Sequence, residues 1–307
     1  MTTHVSRGPG AISTRHAMFV VLVAVSVVVY YRKFAFLVAY AWSHDSSSQT
    51  LIIPLISLFL IYSARKRIFA RTNASGLQGI AAVLTGGFLS WAAGWTSLHL
   101  EGNESLSLFA LSLVVIWIGA FLLCYGAAAA RAGAFPLLFL LLMIPLPDPL
   151  LNWLTHLLQQ GSTETAYLIF RALGIPVLRR GFLLSVPGVT IEVAKECSSI
   201  RSSMALLITC LLAAHLYLRT LWKIVLFALL SLPMAVVKNG IRIATLTLLS
   251  VYVNPGFLTG RLHHQGGIVF FFLALLMLWP VLRALRNRTN GSNTKAGHIA
   301  QPRGVVT

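Results

Sequence analysis

Three short polar clusters interrupt an otherwise apolar chain, and each contributes a residue type that nucleophilic or acid–base chemistry uses. They are Glu196-Cys197-Ser198-Ser199-Ile200-Arg201, Asn239-Gly240-Ile241-Arg242-Ile243 and His263-His264-Gln265-Gly266-Gly267. A cysteine, an arginine and a histidine are together the parts of a thiol hydrolase or transferase. Ionisable groups beside hydrocarbon are costly unless they are paired or face water, so these residues are functional candidates by default.

Cys197 is the candidate nucleophile of this set. A cysteine attacks as its thiolate, which a helix N-terminus and nearby cations favour. Ser198 or Ser199 can cap the helix that follows, which puts Cys197 beside the positive helix end. Arg242, brought close by folding, would supply a fixed positive charge, whereas the Glu196 carboxylate would disfavour the thiolate if it pointed inward. The competing interpretation is a buried, inert thiol.

Cys124 and Cys210, the two other cysteines, lie inside apolar runs, where a thiol behaves as a small hydrophobe. An odd, widely spaced set of three gives no disulfide framework and no zinc spacing. We therefore expect no metal and no other cofactor, and Cys197 is the only cysteine in a polar context.

The arginine and histidine clusters supply the remaining chemistry. Arg242 follows Asn239 by three residues, so both lie on one face of a helix. Its guanidinium can hold a carboxylate or stabilise an oxyanion, whereas an ordinary interfacial arginine snorkels to headgroups. His263 and His264 offer a general base and a proton donor. The same segment also fits a polar helix start with glycines for close packing.

Composition decides the class of protein. Of 307 residues, 57% are hydrophobic and 10% are charged, whereas a soluble domain carries about 25% charged residues. The chain is therefore an integral membrane protein. Its net charge of +17 comes mostly from short loops and the tail, where basic residues act as orientation signals. Nucleic acid is not expected as a partner.

Apolar runs of spanning or nearly spanning length predict an all-α, polytopic membrane bundle of about eight transmembrane helices over residues 1–288. A polar cytoplasmic tail, residues 289–307, is predicted to be disordered. The eight runs are Ala17–Tyr40, Thr50–Tyr62, Leu77–Trp95, Leu106–Tyr125, Ala134–Leu146, Ile200–Leu218, Leu221–Val253 (interrupted by Lys238-Asn239-Gly240) and Gly267–Leu282.

Charge sets the expected orientation, with both termini in the cytoplasm. Twelve basic residues then lie inside, as the positive-inside rule requires: Arg65, Lys66, Arg67, Arg71, Arg131, Arg219, Lys223, Arg283, Arg286, Arg288, Lys295 and Arg303. All seven acidic residues lie outside: Asp45, Glu101, Glu104, Asp148, Glu164, Glu192 and Glu196. Five basic residues count against it: Arg171, Arg179, Arg180, Lys195 and Arg261. In this orientation the cysteine, arginine and histidine clusters all reach the extracytoplasmic surface.

The long external segment between the fifth and sixth runs is only partly polar. Leu150–Gly174 has apolar residues at helical spacing, which predicts an amphipathic helix on the membrane. Phe182–Val193 is rich in β-branched residues around a Pro187-Gly188 turn signal, which predicts a short hairpin that could receive an extended peptide.

Four sequence segments resemble the exosortase and archaeosortase family. "ECSSIRSS" resembles its cysteine motif, "KNGIRI" its asparagine-to-arginine motif, "HHQGGIVFF" its histidine motif, and "SQTLIIPLISLFLIY" its early segment. The similarity runs from about residue 17 to 285 with the motifs in the same order. Ser199 stands where the family commonly has glycine. His263, unlike His264, has the family's four-residue offset to Gly267.

The resemblance implies a multi-helix protein that is embedded in the lipid of the bacterial inner membrane and acts on exported proteins. The activity implied is cysteine-dependent cleavage of C-terminal sorting signals of the Pro-Glu-Pro (PEP-CTERM) type, with transfer to another acceptor. Cys197 would be the nucleophile, Arg242 the essential arginine and His263 the histidine, with His264 as its alternative. Asn239, Ser198, Glu196 and Arg201 would be supporting residues.

Two other functions fit the same residues. Broken helices with an Asn-Gly interruption and cations within the membrane also suit a transporter or channel with an anion site. A polytopic assembly factor without chemistry is a third interpretation. Polar groups gathered at one surface, and the lack of an internal repeat, favour the enzyme.

Reporter fusions test the orientation, on which the chemistry depends. We expect fusions near Glu101 and Glu164 to report the extracytoplasmic side, and fusions near Arg67 and after Arg288 the cytoplasmic side, because the basic residues cluster inside. A fusion after residue 260 should also report outside. A cytoplasmic result there would put His263 across the bilayer from Cys197, and the transporter would become the better interpretation.

Overall fold

The computed structural model describes residues 9–72, 76–96, 103–194, 200–218, 220–258 and 267–297. This part of the chain is almost entirely helical and divides into two compact units, Met1–Leu151 and Asn152–Thr307. The predicted all-α membrane fold is confirmed, and one small three-stranded sheet is the exception to it.

The first unit contains seven α-helices within its described residues. They are α1 (Pro9–Val29), α2 (Tyr31–Ser43), α3 (Gln49–Ser63), α4 (Arg65–Ile68), α5 (Gly76–Thr96), α6 (Glu104–Ala132) and α7 (Ala134–Phe139). Two 3-10 turns, Asp45–Ser47 and Leu140–Met143, precede α3 and extend α7. Helix α6 is the most apolar and the most buried candidate span of the chain.

The second unit contains the helices that carry the three polar clusters or flank them. Its elements are α8 (Asp148–Ala172, which begins just before the unit boundary), β1 (Leu178–Arg180), β2 (Leu183–Val186), β3 (Val189–Glu192), α9 (Ile200–Tyr217), α10 (Leu221–Tyr252), a 3-10 turn (Pro255–Leu258) and α11 (Gly267–Gly297). Helix α11 thus continues beyond Arg288, where the sequence predicts the start of the tail.

Within the described residues, five helices are long and apolar enough to cross a membrane: α5, α6, α9, α10 and α11. The count rises to seven if each of two bent pairs, α1 with α2 and α7 with α8, forms one span. The remaining predicted run is α3, whose 15 residues fall short of the about 20 that a full crossing needs. All eight apolar runs are mainly helical, and the predicted eight crossings require both bent pairs and the short helix α3 to cross the membrane.

The first predicted span, Ala17–Tyr40, is wrong as a single helix. The chain breaks at Tyr30, and the two helices on either side meet at an angle of 84°. The break precedes Lys33, whose ammonium donates a hydrogen bond to the Ser90 carbonyl oxygen (3.2 Å) and lies 5.7 Å from the centre of the Phe109 ring. A cation in an apolar helix needs such partners, and here they come from α5 and α6.

Glycines bring α5 and α6 into close contact. A Cβ atom on Gly86 would lie 2.5 Å from Ile116 Cγ1 and 2.9 Å from the Ser112 carbonyl oxygen. On the other helix, a Cβ atom on Gly119 would lie 2.8 Å from the Val83 nitrogen. Lipid tails are as apolar as leucine, so membrane helices associate through close packing of small residues rather than through hydrophobic burial.

The external segment follows its sequence prediction. The predicted helix over Leu150–Gly174 is α8, and the predicted hairpin is formed by β2 and β3, with Gly188 at φ 92° in the turn. Strand β1 adds a third antiparallel strand, in which Leu178 pairs with Ser185. One face of the sheet packs on α8 and α10 through a cluster that includes Phe170, Leu184 and Ala244.

The predicted interruption of the seventh span at Lys238-Asn239-Gly240 is wrong. Helix α10 runs without a break from Leu221 to Tyr252, and its proline, Pro233, lies earlier in the helix. The three residues keep helical geometry because each one contacts a neighbouring helix, as described below. The broken helix on which the transporter interpretation depended is therefore absent from the described α10.

Neighbouring glycines on α5 test the packing with α6. We expect Gly86→Ala to lower the thermal midpoint of the purified protein in detergent, at a cost of about 1–3 kcal/mol, because the new methyl group overlaps Ile116. Gly87→Ala is the matched control, since nothing lies within 4 Å of its Cβ position, and alanine favours a helix over glycine. Equal midpoints for the two variants would contradict this account.

Candidate functional site

The structure describes one of the three clusters in full. Cys197, with Glu196 and Ser198, falls in residues 195–199, and His263 and His264 fall in residues 259–266; both segments lie outside the described residues. Asn239 and Arg242 lie on α10, and Arg201 is exposed in the first turn of α9. The site is therefore built here from α10 and the elements that pack against it.

Lys238 joins α10 to the beginning of α9. Its side chain is 2% exposed, and its Nζ donates a hydrogen bond to Ser202 Oγ at 2.5 Å. Ser202 is the third residue of α9 and lies five residues after Cys197. An ammonium group in an apolar interior needs a polar partner, so this contact aligns the first turn of α9 with the middle of α10.

Asn239, the next residue, joins α10 to α8. Its side chain is 1% exposed, and its Nδ2 donates a hydrogen bond to the hydroxyl of Ser162 at 3.0 Å. Ser162 is itself fully buried. Because buried polar groups are hydrogen-bonded in native proteins, this pair sets the register of α8 against α10, as Lys238 does for α9.

Two glycines allow α8 and α10 to approach closely at the same level. A Cβ atom on Gly240 would lie 2.4 Å from Thr165 Cβ, and one on Gly161 would lie 2.7 Å from Val236 Cγ1. Each helix thus places a glycine against a β-branched residue of the other. Close backbone approach of this kind is how small residues promote helix association in membranes.

Arg242 lies one helical turn beyond Lys238, towards the end of α10, and is half-buried. Helices α9 and α10 are joined at Leu218–Leu221 and meet again at Ser202 and Lys238, so they run antiparallel. Four residues along a helix span about 6 Å. Arg242 is therefore level with the N-terminal end of α9.

A second contact fixes the position of α11 along its axis relative to α10. At the other end of α10, Lys223 Nζ donates a hydrogen bond to the Leu285 carbonyl oxygen at 2.9 Å. Arg242 lies nineteen residues after Lys223 on α10. Nineteen residues before Leu285 is position 266, one position before Gly267, the first residue of α11. Since equal residue counts give equal lengths along antiparallel helices, Arg242 is level with Gly267, which follows the histidine cluster.

The sheet is anchored immediately before the cysteine segment. The Val193 nitrogen donates to the Phe182 carbonyl oxygen at 3.0 Å, and Gln159 Nε2 of α8 donates to the Val193 carbonyl oxygen at 2.5 Å. Val193 is thus held by α8, and Ser202 is held by α10.

The charges on α8 and the sheet form a separate group. Arg179 of β1 forms an ion pair with Glu164 of α8. Glu192 at the end of β3 is exposed. Within the described residues, no group of three or more histidine, cysteine, aspartate or glutamate side chains could hold a metal ion.

Four site residues were missed by the sequence reasoning: Gln159, Ser162, Ser202 and Lys238. Lys238 was treated only as part of an interruption, although an ionisable residue within an apolar run is a functional candidate in its own right. Gln159 and Ser162 are three residues apart on α8, so a shared buried face was a possible signal. Cys124 and Cys210, predicted to be inert core thiols, are indeed buried.

The fold and site define a polytopic helical membrane protein with a buried polar centre shared by α8, α9 and α10. The sequence model of the transmembrane exosortases matches residues 41–280. The chain belongs to this transmembrane exosortase family, as its motifs indicated. Membership assigns it a role in the processing of sorting signals on exported proteins. No curated protein and no solved structure has significant similarity to the chain.

Proposed function

We propose that this protein is a cysteine protease or transpeptidase that cleaves C-terminal sorting signals of the PEP-CTERM type at the extracytoplasmic face of the bacterial inner membrane. Cys197 is the nucleophile, Arg242 stabilises negative charge and His263 transfers protons, with His264 as the alternative histidine. The observation that carries the proposal is the level of Arg242, which matches the start of α9 and the start of α11.

Chain connectivity supports the assembly of these residues. Cys197 is three residues before Ile200, and His263 is four residues before Gly267. Since each residue of extended chain spans at most about 3.6 Å, neither side chain can be far from its helix start. Helix α10 contacts both α9 and α11, so Arg242 and the two helices that follow these segments belong to one three-helix cluster.

The chemistry is acyl transfer through a thioester. The Cys197 thiolate attacks the scissile carbonyl carbon, and Arg242 or a backbone amide near Ser198 stabilises the resulting oxyanion. His263 then protonates the leaving amine as the carbon–nitrogen bond breaks. In the second step, His263 removes a proton from water or from an acceptor nucleophile, which attacks the thioester and releases the thiolate.

The remaining motif residues support this centre. Asn239 holds α10 against α8, so it fixes the height of Arg242, which lies three residues later. Arg201 adds positive charge in the first turn of α9, and Glu196 adjoins the nucleophile in sequence. A substrate whose sorting signal ends in a hydrophobic segment would lie in the bilayer beside the enzyme, so recognition needs no soluble domain.

Orientation follows from charge. Twelve basic residues on the segments expected in the cytoplasm, and no acidic ones, favour cytoplasmic termini and an extracytoplasmic site. Exported proteins are presented on that side. An uninterrupted α10 supports an enzyme over a transporter, whose sites lie between broken helices.

Removal of the nucleophile tests the reaction. We expect Cys197→Ala to abolish maturation of an exported substrate, followed by blotting, while the protein still accumulates in the membrane, because no thioester can form. Cys124→Ala and Cys210→Ala are the controls, since both thiols are buried among apolar residues. Maturation at the wild-type rate in Cys197→Ala cells would rule out this nucleophile.

Arg242→Lys tests whether geometry or only charge is needed. We expect at least a tenfold loss of processing, a loss of about 1.4 kcal/mol or more, because a planar guanidinium can engage an oxyanion or carboxylate with two donors and lysine cannot. Arg180→Lys, at an exposed position on β1, is the control and should retain activity. If Arg242→Lys kept most of its activity, the oxyanion role would pass to backbone amides.

A further inference from the structure

Helix α4, in the first unit, carries three consecutive exposed cations. They are Arg65, Lys66 and Arg67, which directly follow the end of α3. Among the residues that the structure describes, no carboxylate pairs with any of the three. Three like charges in a row repel one another unless counter-charge is nearby, so this end of the unit calls for an anionic partner from outside the described chain.

The three cations are held in place by the residue that follows them. Ile68 is 1% exposed and packs against Phe121, Cys124 and Ala129 of α6. Successive residues of a helix are about 100° apart, so the burial of Ile68 on α6 directs the three preceding side chains towards the surface. The cations therefore stand on a helix that is attached to the core of the unit.

A pocket lies at these cations. It has a volume of about 540 Å³ and is lined by residues 63–67. The Arg65 guanidinium lies 4.1 Å from the centre of the Tyr62 ring, and its Nη1 donates to the Tyr62 carbonyl oxygen at 3.0 Å. Arginine has five N–H donors, so this bond orients the group and uses only one of them. Oriented guanidinium and ammonium groups of this kind bind phosphate.

An exposed apolar stripe on α3 leads to the pocket. Leu55, Leu58, Phe59 and Tyr62 are all exposed, and their spacing puts them on one face of the helix. The stripe ends at Tyr62, beside Arg65. An apolar stripe that runs into a cationic pocket matches an amphiphile with acyl chains and an anionic headgroup. Free phosphate or a nucleic acid would leave the stripe unused.

The length of α3 suits this partner. Its 15 residues span about 22 Å, which is less than the about 30 Å of hydrocarbon in a bilayer. A short apolar helix draws its flanking residues towards the membrane and thins the bilayer around it. The cations of α4 then lie at the depth of the lipid phosphates.

The described acidic residues of this unit lie away from α4. Asp45 precedes α3 and Glu104 begins α6, whereas α4 follows the end of α3 and packs near the end of α6. Asp148 accepts a hydrogen bond from the Asn103 nitrogen (3.0 Å), which puts it beside the start of α6 as well. The positive charge around the pocket is thus not offset by a described carboxylate.

We propose that the pocket at residues 63–67 binds the headgroup of an anionic phospholipid, with the phosphate at Arg65, Lys66 and Arg67 and the acyl chains along the exposed stripe of α3. The inference goes beyond the use of these residues as orientation signals. An orientation signal depends on how many cations lie on one side of the membrane, whereas a lipid site depends on which cations line it. It is also independent of the reaction proposed above.

Lipid titration of the purified full-length protein in detergent, followed by native mass spectrometry, tests the site. The probes are phosphatidylglycerol and phosphatidylcholine with identical acyl chains. We expect the wild type to bind phosphatidylglycerol at least tenfold more tightly, and Lys66→Gln/Arg67→Gln to lose most of this preference, because each cation near anionic lipid contributes about fivefold. Glycerol 3-phosphate, which has the phosphate without the chains, should compete poorly.

A matched variant separates the pocket from net charge. Arg71→Gln/Arg131→Gln removes two exposed cations from the same expected side of the membrane, outside the pocket lining, and should keep the preference. Equal preferences in the two double variants would overturn the inference, as would a glycerol 3-phosphate affinity equal to that of the lipid. If Lys66→Gln/Arg67→Gln fails to accumulate, the wild type decides: equal affinities for the two lipids would overturn the site.

Discussion

Two polar residues in the middle of an apolar helix organise the second unit of this protein. Lys238 and Asn239 are adjacent on α10 but reach different neighbours, Ser202 on α9 and Ser162 on α8. Hydrocarbon offers no water to replace a lost partner, so each of these bonds is required wherever the helix is embedded. Together they fix the positions of α8, α9 and α10 along their axes relative to one another. The position of Arg242 relative to α8 and α9 follows from this.

Close packing makes those bonds possible. Hydrogen bonds of this length form only when the backbones approach, and the glycines at 161 and 240 provide the space on both sides of the α8–α10 contact. The first unit uses the same device between α5 and α6. Glycine packing thus serves two purposes here: it joins helices generally, and at α10 it also brings polar side chains into reach.

The small sheet and α8 complete the arrangement. The sheet and α8 hold Val193, while α10 holds Ser202, so the described residues on both sides of the proposed nucleophile are fixed to the scaffold. Reactive groups on a brief connection between rigid elements are a common way to place chemistry precisely on a stable scaffold.

The sequence alone determined the features that depend on near neighbours: the apolar runs that became helices, the hairpin at Pro187-Gly188, and the motifs that identify the family. The roles of Cys197 and His263 still rest on those motifs. Tertiary structure decided the break at Tyr30, the continuity of α10 through Asn239-Gly240, and the pairing of Lys238 and Asn239 with residues 36 and 77 positions away. Local sequence patterns show which residues avoid water. They do not show which distant hydroxyl will pair with a buried polar group, because that pairing is set when the helices pack.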